Sequence, residues 1–307
     1  MNDAAVTDHP TSQYRQGIIY ALIGTALFSM KPVLIKLAYA LGGDATSIMS
    51  LRAVSSLPVY LAILLWLCRD PGERSKVKQF GLQAAAVGIL GYYFASLLDI
   101  VALEYISAQL ERLLIFLFPS FVVIISWIFL KETPKKGTFS SIFLGYVGVT
   151  MIVMHDFQSF GSQVWLGSAL AVASALVFAI YLVLSKKVIG KIGAQLFTSV
   201  GMGSAAMVIM MQHQWQGAQF SAMSLELITL GIGLGIFCTV LPSYFVAASM
   251  ARLTASTLSL TSNIGPVVTA VFAITLLDEA FTLWHALGMA LVVYAVVKIN
   301  RKSEKRR

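Results

Sequence analysis

Charged side chains interrupt the long apolar stretches in the first half of this chain. They are Lys31, Lys36, Arg52, Asp99, Glu111 and Arg112. An ionised side chain at the centre of a membrane costs roughly 2.5–3.5 kcal/mol on insertion scales, so one that is retained normally faces protein or water. A pairing of Lys31 with Asp99 or Glu111 fits this rule and could be a static salt bridge, a substrate contact or a proton-coupled switch. The other three cations lie close enough to the ends of their stretches that we expect them to snorkel.

Polar and aromatic side chains recur at helical spacing in the same stretches. Gly88, Tyr92, Ser96 and Asp99 follow i, i+4, i+8 and i+11, which places them on one helix face. Buried tyrosines can present hydroxyls and ring faces to an amphipathic or zwitterionic ligand, whereas small residues alone are typical of close helix packing. The candidate substrate-binding and cavity residues are Lys31, Tyr92, Tyr93, Ser96, Asp99, Glu111, Tyr181, Thr239, Ser243, Tyr244, Thr261 and Asn263.

Two prolines occupy the middle of apolar stretches, Pro119 and Pro266. A proline inside a helix removes a backbone hydrogen bond and favours a kink. Each kink could be ordinary architecture, or it could be a hinge at which half-helices rock to open one side of the protein. We name both residues as candidate hinges.

These side chains belong to ten long apolar segments. The segments are 17–41, 45–68, 79–103, 107–130, 137–154, 164–185, 194–211, 225–250, 254–276 and 282–297. A membrane crossing needs about 20 apolar residues as a helix, and no period-2 alternation suggests a barrel. With 58% hydrophobic and 12% charged residues, the chain is too apolar for a soluble helical protein. We therefore expect an all-α, polytopic membrane protein of ten transmembrane helices.

The basic residues indicate how the helices are oriented. The connectors 42–44, 104–106, 155–163, 212–224 and 277–281 contain no Lys or Arg, whereas the alternate connectors and both ends carry most of the positive charge. Positive residues are retained on the cytoplasmic side, so we expect both termini in the cytoplasm and the chain in the inner membrane. The net charge of +8 then reflects topology and contact with the lipid bilayer, with no nucleic-acid partner.

The chain reads as two copies of one unit. A shift of 147 residues places Gly88 on Gly235, Pro119 on Pro266 and Glu132 on Glu279. Because each copy holds five spans, an odd number, the copies must insert in opposite orientations, and they would enclose a central cavity. The expected organisation is a flexible cytoplasmic N-terminus at 1–16, repeats at 17–154 and 164–300, and a basic cytoplasmic tail at 301–307.

Short motifs in both copies resemble the EamA-type module of the drug/metabolite transporter superfamily, in its ten-helix exporter branch. In the first copy they are Ala102-Leu-Glu-Tyr-Ile-Ser-Ala108, Phe118-Pro119 and Leu130-Lys-Glu132, and in the second Ala251-Arg-Leu-Thr-Ala255, Gly265-Pro266 and Leu277-Asp-Glu279. The resemblance implies secondary transport of small metabolites, often amino acid export. It also implies a cavity lined by the first, third and fourth helices of each copy. The first span carries lysines and no acidic residue, unlike the four-helix multidrug branch.

Other classes of function find less support in the sequence. The four histidines lack metal-ligand spacing, and the two cysteines lie in different spans, so we expect no metal, no cofactor and no enzymatic activity. The expected function is export of small metabolites, amino acids above all, by alternating access, with proton coupling possible. Alternatives are a multidrug efflux carrier, a channel-like facilitator and a membrane-embedded enzyme. Both a monomer and a homodimer remain open.

Overall fold

A computed structural model describes residues 10–131, 137–216, 220, 223–250, 252–253, 261–262 and 264–304. Within these residues all regular structure is helical, and the predicted all-α class is confirmed. The helices are α1 (Pro10–Ala40), α2 (Ala45–Leu67), α3 (Pro71–Ala102), α4 (Ala108–Ile115), α5 (Phe118–Leu130), α6 (Thr138–Phe160), α7 (Gln163–Ile192), α8 (Ala194–Trp215), α9 (Leu225–Ser249), α10 (Gly265–Leu277) and α11 (Leu283–Glu304).

The length and apolar composition of the helices suit a membrane. Within the described residues, eight spans are long and apolar enough to cross, with α4 and α5 counted as one, and α10 and α11 are shorter apolar helices. Side chains that point away from the bundle are large and apolar; Phe129 and Phe143 are 76% and 71% exposed. The predicted multi-span membrane architecture is therefore confirmed. We call the end of the bundle opposite the start of α1 the distal end; it comprises residues 41–44, 103–107, 161–162 and 278–282.

Several helices run further than the apolar segments predicted. The third begins at Pro71, where Asp70 accepts a hydrogen bond from the backbone N–H of Gly72 at 2.7 Å. Helix α7, the sixth predicted segment, continues through Lys186 to Ile192 and ends at Gly193, which has a φ of 82°. Backbone hydrogen bonding propagates past the hydrocarbon boundary until a cap or a left-handed residue stops it. Hydropathy alone therefore underestimated these helices.

Structural features recur in the two halves at positions about 147 residues apart. The bounds of α5 and α10 correspond residue for residue under this shift, and so do the left-handed residues that follow them, Lys131 (φ 56°) and Asp278 (φ 51°). A π-helical turn interrupts α3 at Leu90–Phe94 and α9 at Ile236–Val240. Such turns are rare and often lie at functional sites.

Glycines allow two equivalent helix pairs to touch backbone to backbone. A Cβ on Gly88 of α3 would collide with the backbone of Gly201 in α8. A Cβ on Gly235 of α9 would collide with the Ser55 hydroxyl and would lie 2.7 Å from the Arg52 carbonyl oxygen in α2. Small residues permit this close packing within lipid. These contacts join the helices that carry the polar centre described below.

We expect Gly88→Ala to destabilise the protein, because its methyl group would force α3 and α8 apart. Overpacking of this kind costs about 1–3 kcal/mol or more. The matched control is Gly233→Ala in α9, where an added Cβ meets nothing within 4 Å. Thermal unfolding of the purified variants measures the difference. Equal melting temperatures would show that the Gly88–Gly201 approach contributes nothing to stability.

Candidate functional site

A buried arginine forms the centre of the polar interior. Arg52 of α2 is 9% exposed and donates hydrogen bonds to the Ser96 hydroxyl at 3.0 Å and to the Thr239 hydroxyl at 3.2 Å. It is the eighth residue beyond the distal cap at Asp44, about 12 Å along the helix. Among the described residues no carboxylate lies within salt-bridge distance of its guanidinium. The expectation that Arg52 would snorkel was wrong, because hydroxyls from α3 and α9 hold it inside the bundle.

The guanidinium borders a small cavity of about 30 Å³. The cavity is lined by Met49, Arg52, Ala53, Ser56, Tyr60, Tyr92, Ser96, Met202, Ala205, Ala206, Ile209 and Thr239. This volume holds roughly one water molecule. The lining comes from α2, α3, α8 and α9 of the described chain. The resemblance had implied the first, third and fourth helices of each half, so only the third helix and its counterpart match that expectation.

Tyrosines surround the same cavity on one side. Tyr60 and Ser243 share a hydrogen bond of 3.2 Å, and Tyr92 meets the ring of Tyr181 edge to face at a centroid distance of 5.5 Å. Tyr244 packs against Tyr60 at 6.0 Å and hydrogen-bonds Ser199 at 2.8 Å. The π-helical turns of α3 and α9 place Tyr92 and Thr239 in this wall. Side chains of α2, α3, α7, α8 and α9 thus meet in one polar and aromatic region.

A charged cluster lies next to the cavity, closer to the distal end. Lys31 of α1 forms an ion pair with Asp99 of α3, and the Asp99 carboxyl also contacts the carboxyl of Glu111 in α4. Asp99 and Glu111 are 4% and 3% exposed, and the Glu111 Oε2 atom has no hydrogen-bond partner among the described residues. Asp99 stands one helical turn from Ser96, so the cluster and Arg52 form one continuous polar network.

A second arginine extends this network towards α10. The Arg112 guanidinium donates a hydrogen bond of 2.9 Å to the Ser29 hydroxyl, and it lies 5.4 Å from the centre of the Phe116 ring. The backbone carbonyl of Ser29 accepts a bond of 2.7 Å from Thr269 of α10. Arg112 therefore also reaches inward, where we had expected it to snorkel. Three cations and two carboxyls face one another here, so the described network carries excess positive charge.

The remaining candidates lie in other places. Tyr93 points away from the cavity and donates a hydrogen bond to Gln212 at the distal end of α8, at 2.7 Å. Thr261 precedes Ser262, whose hydroxyl accepts a bond of 3.2 Å from Thr25 of α1. Asn263 falls outside the residues that the structure describes.

The candidate hinges stand at helix starts. The fourth span breaks between Ile115 and Phe118, and Pro119 occupies the first turn of α5. Pro266 occupies the same position in α10. A proline in a first helical turn removes no intrahelical hydrogen bond, so starting the helix at this residue costs little free energy. Movement at these breaks stays a prediction.

Sequence reasoning missed several residues of this region. Tyr60 was overlooked, and Arg52 was counted among the membrane charges but not among the candidate site residues, although its shared face with Ser55 and Ser56 was a usable signal. The π-helical turns leave no hydropathy signature. A third group, His155, Asp156 and His285, lies together at the distal end and could hold a metal ion. Its members come from helices far apart in sequence, so local spacing could not reveal it.

Known proteins share the whole length of this chain. The uncharacterized transporter YcbK of Bacillus subtilis strain 168 is 24% identical over 298 residues, covering 94% of each chain. Protein RarD of Escherichia coli strain K12 is 26% identical over 310 residues, covering 95% of this chain and 99% of RarD. A solved crystal structure superposes with a TM-score of 0.64 at 16% identity, covering 95% of this chain and 98% of its own. That last likeness concerns the fold alone.

The family assignment rests on both halves. Residues 15–154 and 165–301 each match the EamA-like transporter family, which together is most of the chain. The helical architecture and the apolar spans agree with a membrane transporter. The chain belongs to the EamA-like transporter family.

Proposed function

We propose that this protein exports amino acids, or small metabolites of the same zwitterionic kind, by alternating access. The observation that carries the proposal is Arg52, a buried guanidinium with hydroxyl partners only, at a small cavity. A planar guanidinium binds a carboxylate through two parallel hydrogen bonds, which is the strongest recognition that a protein offers to this group.

The neighbouring carboxyls supply the complementary half of the recognition. Glu111 keeps one oxygen without a hydrogen-bond partner among the described residues, and it contacts Asp99, whose other partner is Lys31. A substrate ammonium group could replace the Lys31 ammonium beside the Asp99 carboxylate and so release Lys31. Two carboxyls in contact can also share one proton, which would couple transport to a proton gradient. A zwitterion therefore offers a partner to each part of the network, a carboxylate to Arg52 and an ammonium group to the carboxyls of Asp99 and Glu111.

The small cavity requires a conformational change. A volume of about 30 Å³ is too small for any amino acid, so the helices around Arg52 must separate for binding. The Lys31–Asp99–Glu111 cluster crosses between α1, α3 and α4 near the distal end, where it would close that side of the protein. The helix break before Pro119 and the start of α10 at Pro266 are suited to movements that open the other side of the protein. Two inverted copies would provide one gate each.

The distribution of positive charge supports the proposed localisation. Among the described residues, Arg15, Arg69 and Lys191 lie at the end of the bundle where α1 begins, and this end would face the cytoplasm of the inner membrane. The distal cluster would then close the outward side and leave the site to be loaded from the cytoplasm, as an exporter needs.

A ligand screen tests the proposed substrate class. We expect the melting temperature of the purified protein to rise with one or more amino acids, and not with nucleosides or cationic drugs. A ligand that binds only the folded state stabilises it by about 2.7 kcal/mol at one hundred times its dissociation constant. Stabilisation by cationic aromatic drugs alone would favour the efflux alternative, for which the tyrosines around the cavity would supply cation–π contacts.

A further inference from the structure

Two histidines and an aspartate meet at the distal end, away from the polar cavity. His155 and Asp156 lie in the last turns of α6, and His285 lies in the first turn of α11. One ligand atom from each residue lies within 4.8 Å of the others. The helices that carry them pack closely, because Gly148 and Gly288 leave no room for a Cβ between them. The group is therefore held by a rigid contact between two spans.

The distances match the edges of a tetrahedral metal site. His285 Nε2 lies 3.4 Å from Asp156 Oδ1, and His155 Nδ1 lies 3.5 Å from the same oxygen. At metal–ligand distances of about 2.0–2.2 Å, neighbouring ligand atoms of tetrahedral zinc lie roughly 3.3–3.6 Å apart. Two of the three edges already have this length. The third closes when one imidazole ring, packed against the other at a centroid distance of 4.8 Å, turns slightly.

Second contacts orient the prospective ligands. Asp156 uses its other oxygen, Oδ2, to accept a hydrogen bond of 2.5 Å from Ser107, the N-cap of α4. His285 Nδ1 lies 2.9 Å from the Thr282 hydroxyl oxygen, which can accept a hydrogen bond from Nδ1–H when Nε2 binds a metal. In that tautomer the weak bond of 3.3 Å from the Thr282 backbone N–H is given up. Metal-bound histidines and carboxylates usually have such supporting partners.

The site is enclosed on one side and open on the other. The Asp156 and His285 side chains are 5% and 3% exposed, whereas the His155 side chain is 20% exposed and its Nδ1 atom has no hydrogen-bond partner among the described residues. His155 also borders a groove of about 580 Å³ between α6 and Trp284. The partly exposed side of His155 would leave a fourth coordination position for water.

We propose that His155, Asp156 and His285 form a binding site for a divalent transition-metal ion of the zinc class. The ion would tie α6 to α11 and, through the Ser107–Asp156 hydrogen bond, to the start of α4. Glu279 already caps α4 from the second half, at 2.8 Å from the Ala108 nitrogen. The bound metal would therefore fix the distal end in its closed arrangement and would slow transport.

Metal titration of the full-length protein, prepared without a histidine tag, tests the site. Competition with a chromogenic chelator should give saturable Zn²⁺ binding of about one ion per chain, and Co²⁺ should show the visible absorption of tetrahedral coordination. His155→Gln and His285→Gln should each weaken binding by at least about tenfold. His155→Gln keeps the Ser107–Asp156 and Thr282–His285 contacts, so it should fold as the native protein does.

His213→Gln is the matched control. His213 is 2% exposed and stacks on Phe220 at 4.1 Å, remote from the cluster in sequence and in a different helix. Its loss should leave Zn²⁺ affinity unchanged. Absence of saturable binding to the native protein would overturn the proposal. Zn²⁺ affinity equal to that of the native protein in the His155→Gln and His285→Gln variants would also overturn it. Because binding is measured without flux, this result is independent of the proposed transport function.

Discussion

Replacing Arg52 with glutamine is expected to reduce amino acid transport by about 30-fold or more. Truncating one partner of a buried charge-assisted pair costs about 2 kcal/mol or more, and each 1.4 kcal/mol is about tenfold in affinity. Glutamine keeps hydrogen-bonding capacity towards Ser96 and Thr239 but cannot hold a carboxylate through a charged fork. Initial rates in proteoliposomes with matched protein content measure the change.

Two further variants separate charge from geometry. Arg52→Lys keeps the positive charge and loses the planar fork, so we expect an intermediate rate. Arg69→Gln removes an exposed arginine just beyond α2 and should leave the rate unchanged. Normal transport by Arg52→Gln would remove this residue from the site. If Arg69→Gln impaired transport equally, general loss of positive charge would explain both effects.

Replacing Asp99 with leucine is expected to lower the stability of the protein by about 2–3 kcal/mol. Breaking a buried ion pair from one side typically costs about 3–5 kcal/mol, because the remaining charge is left without a partner. The expected cost is smaller here, since Lys31 is 18% exposed at its side chain and Glu111 stays nearby. The melting temperature of the purified variant, compared with the native protein, reports the loss.

The double variant Lys31→Met, Asp99→Leu completes the test. It removes both charges together, so we expect it to recover most of the lost stability. The control is Glu73→Gln, which breaks the largely exposed Lys76–Glu73 pair and should cost no more than about 1 kcal/mol. Additive losses in the double variant would contradict a direct Lys31–Asp99 interaction in the membrane.

The helical membrane architecture could be predicted because hydrophobic length is a strong signal. About 20 apolar residues are needed to cross a bilayer, and most predicted segments reach this length. The described chain contains eight helical spans long and apolar enough to cross, and two shorter apolar helices. The helix ends were less predictable, because caps such as Asp70 and Gly193 act on the backbone and not on hydropathy. The duplication was visible from Gly, Pro and Glu matches, and the π-helical turns of α3 and α9 add a backbone feature that side-chain patterns do not encode.

The candidate site was only partly predictable. A pairing of Lys31 with Asp99 or Glu111 followed from the cost of membrane charge, and the structure shows the ion pair with Asp99. The position of Arg52 did not follow, because a cation near a helix end can turn either inward or towards the interface. Its inward direction depends on hydroxyls of Ser96 and Thr239 in two other helices. Tyr93 does not line the cavity that Tyr92 borders, because adjacent residues on a helix point about 100° apart.

The alternatives to a carrier make different kinetic predictions. A channel-like facilitator needs a continuous polar path, whereas the described residues line a cavity of about 30 Å³. A carrier that exposes its site to one side at a time exchanges substrate across the membrane. Exchange of this kind drives a labelled substrate against its own gradient for as long as an unlabelled gradient persists.

Counterflow in proteoliposomes tests the carrier most directly. Vesicles are loaded with the amino acid that stabilises the protein best and are diluted into a trace of the labelled form. We expect a transient accumulation of label above equilibrium, which Arg52→Gln abolishes and Arg69→Gln preserves. Label that rises to equilibrium without an overshoot, at a rate that never saturates with concentration, would contradict alternating access around Arg52.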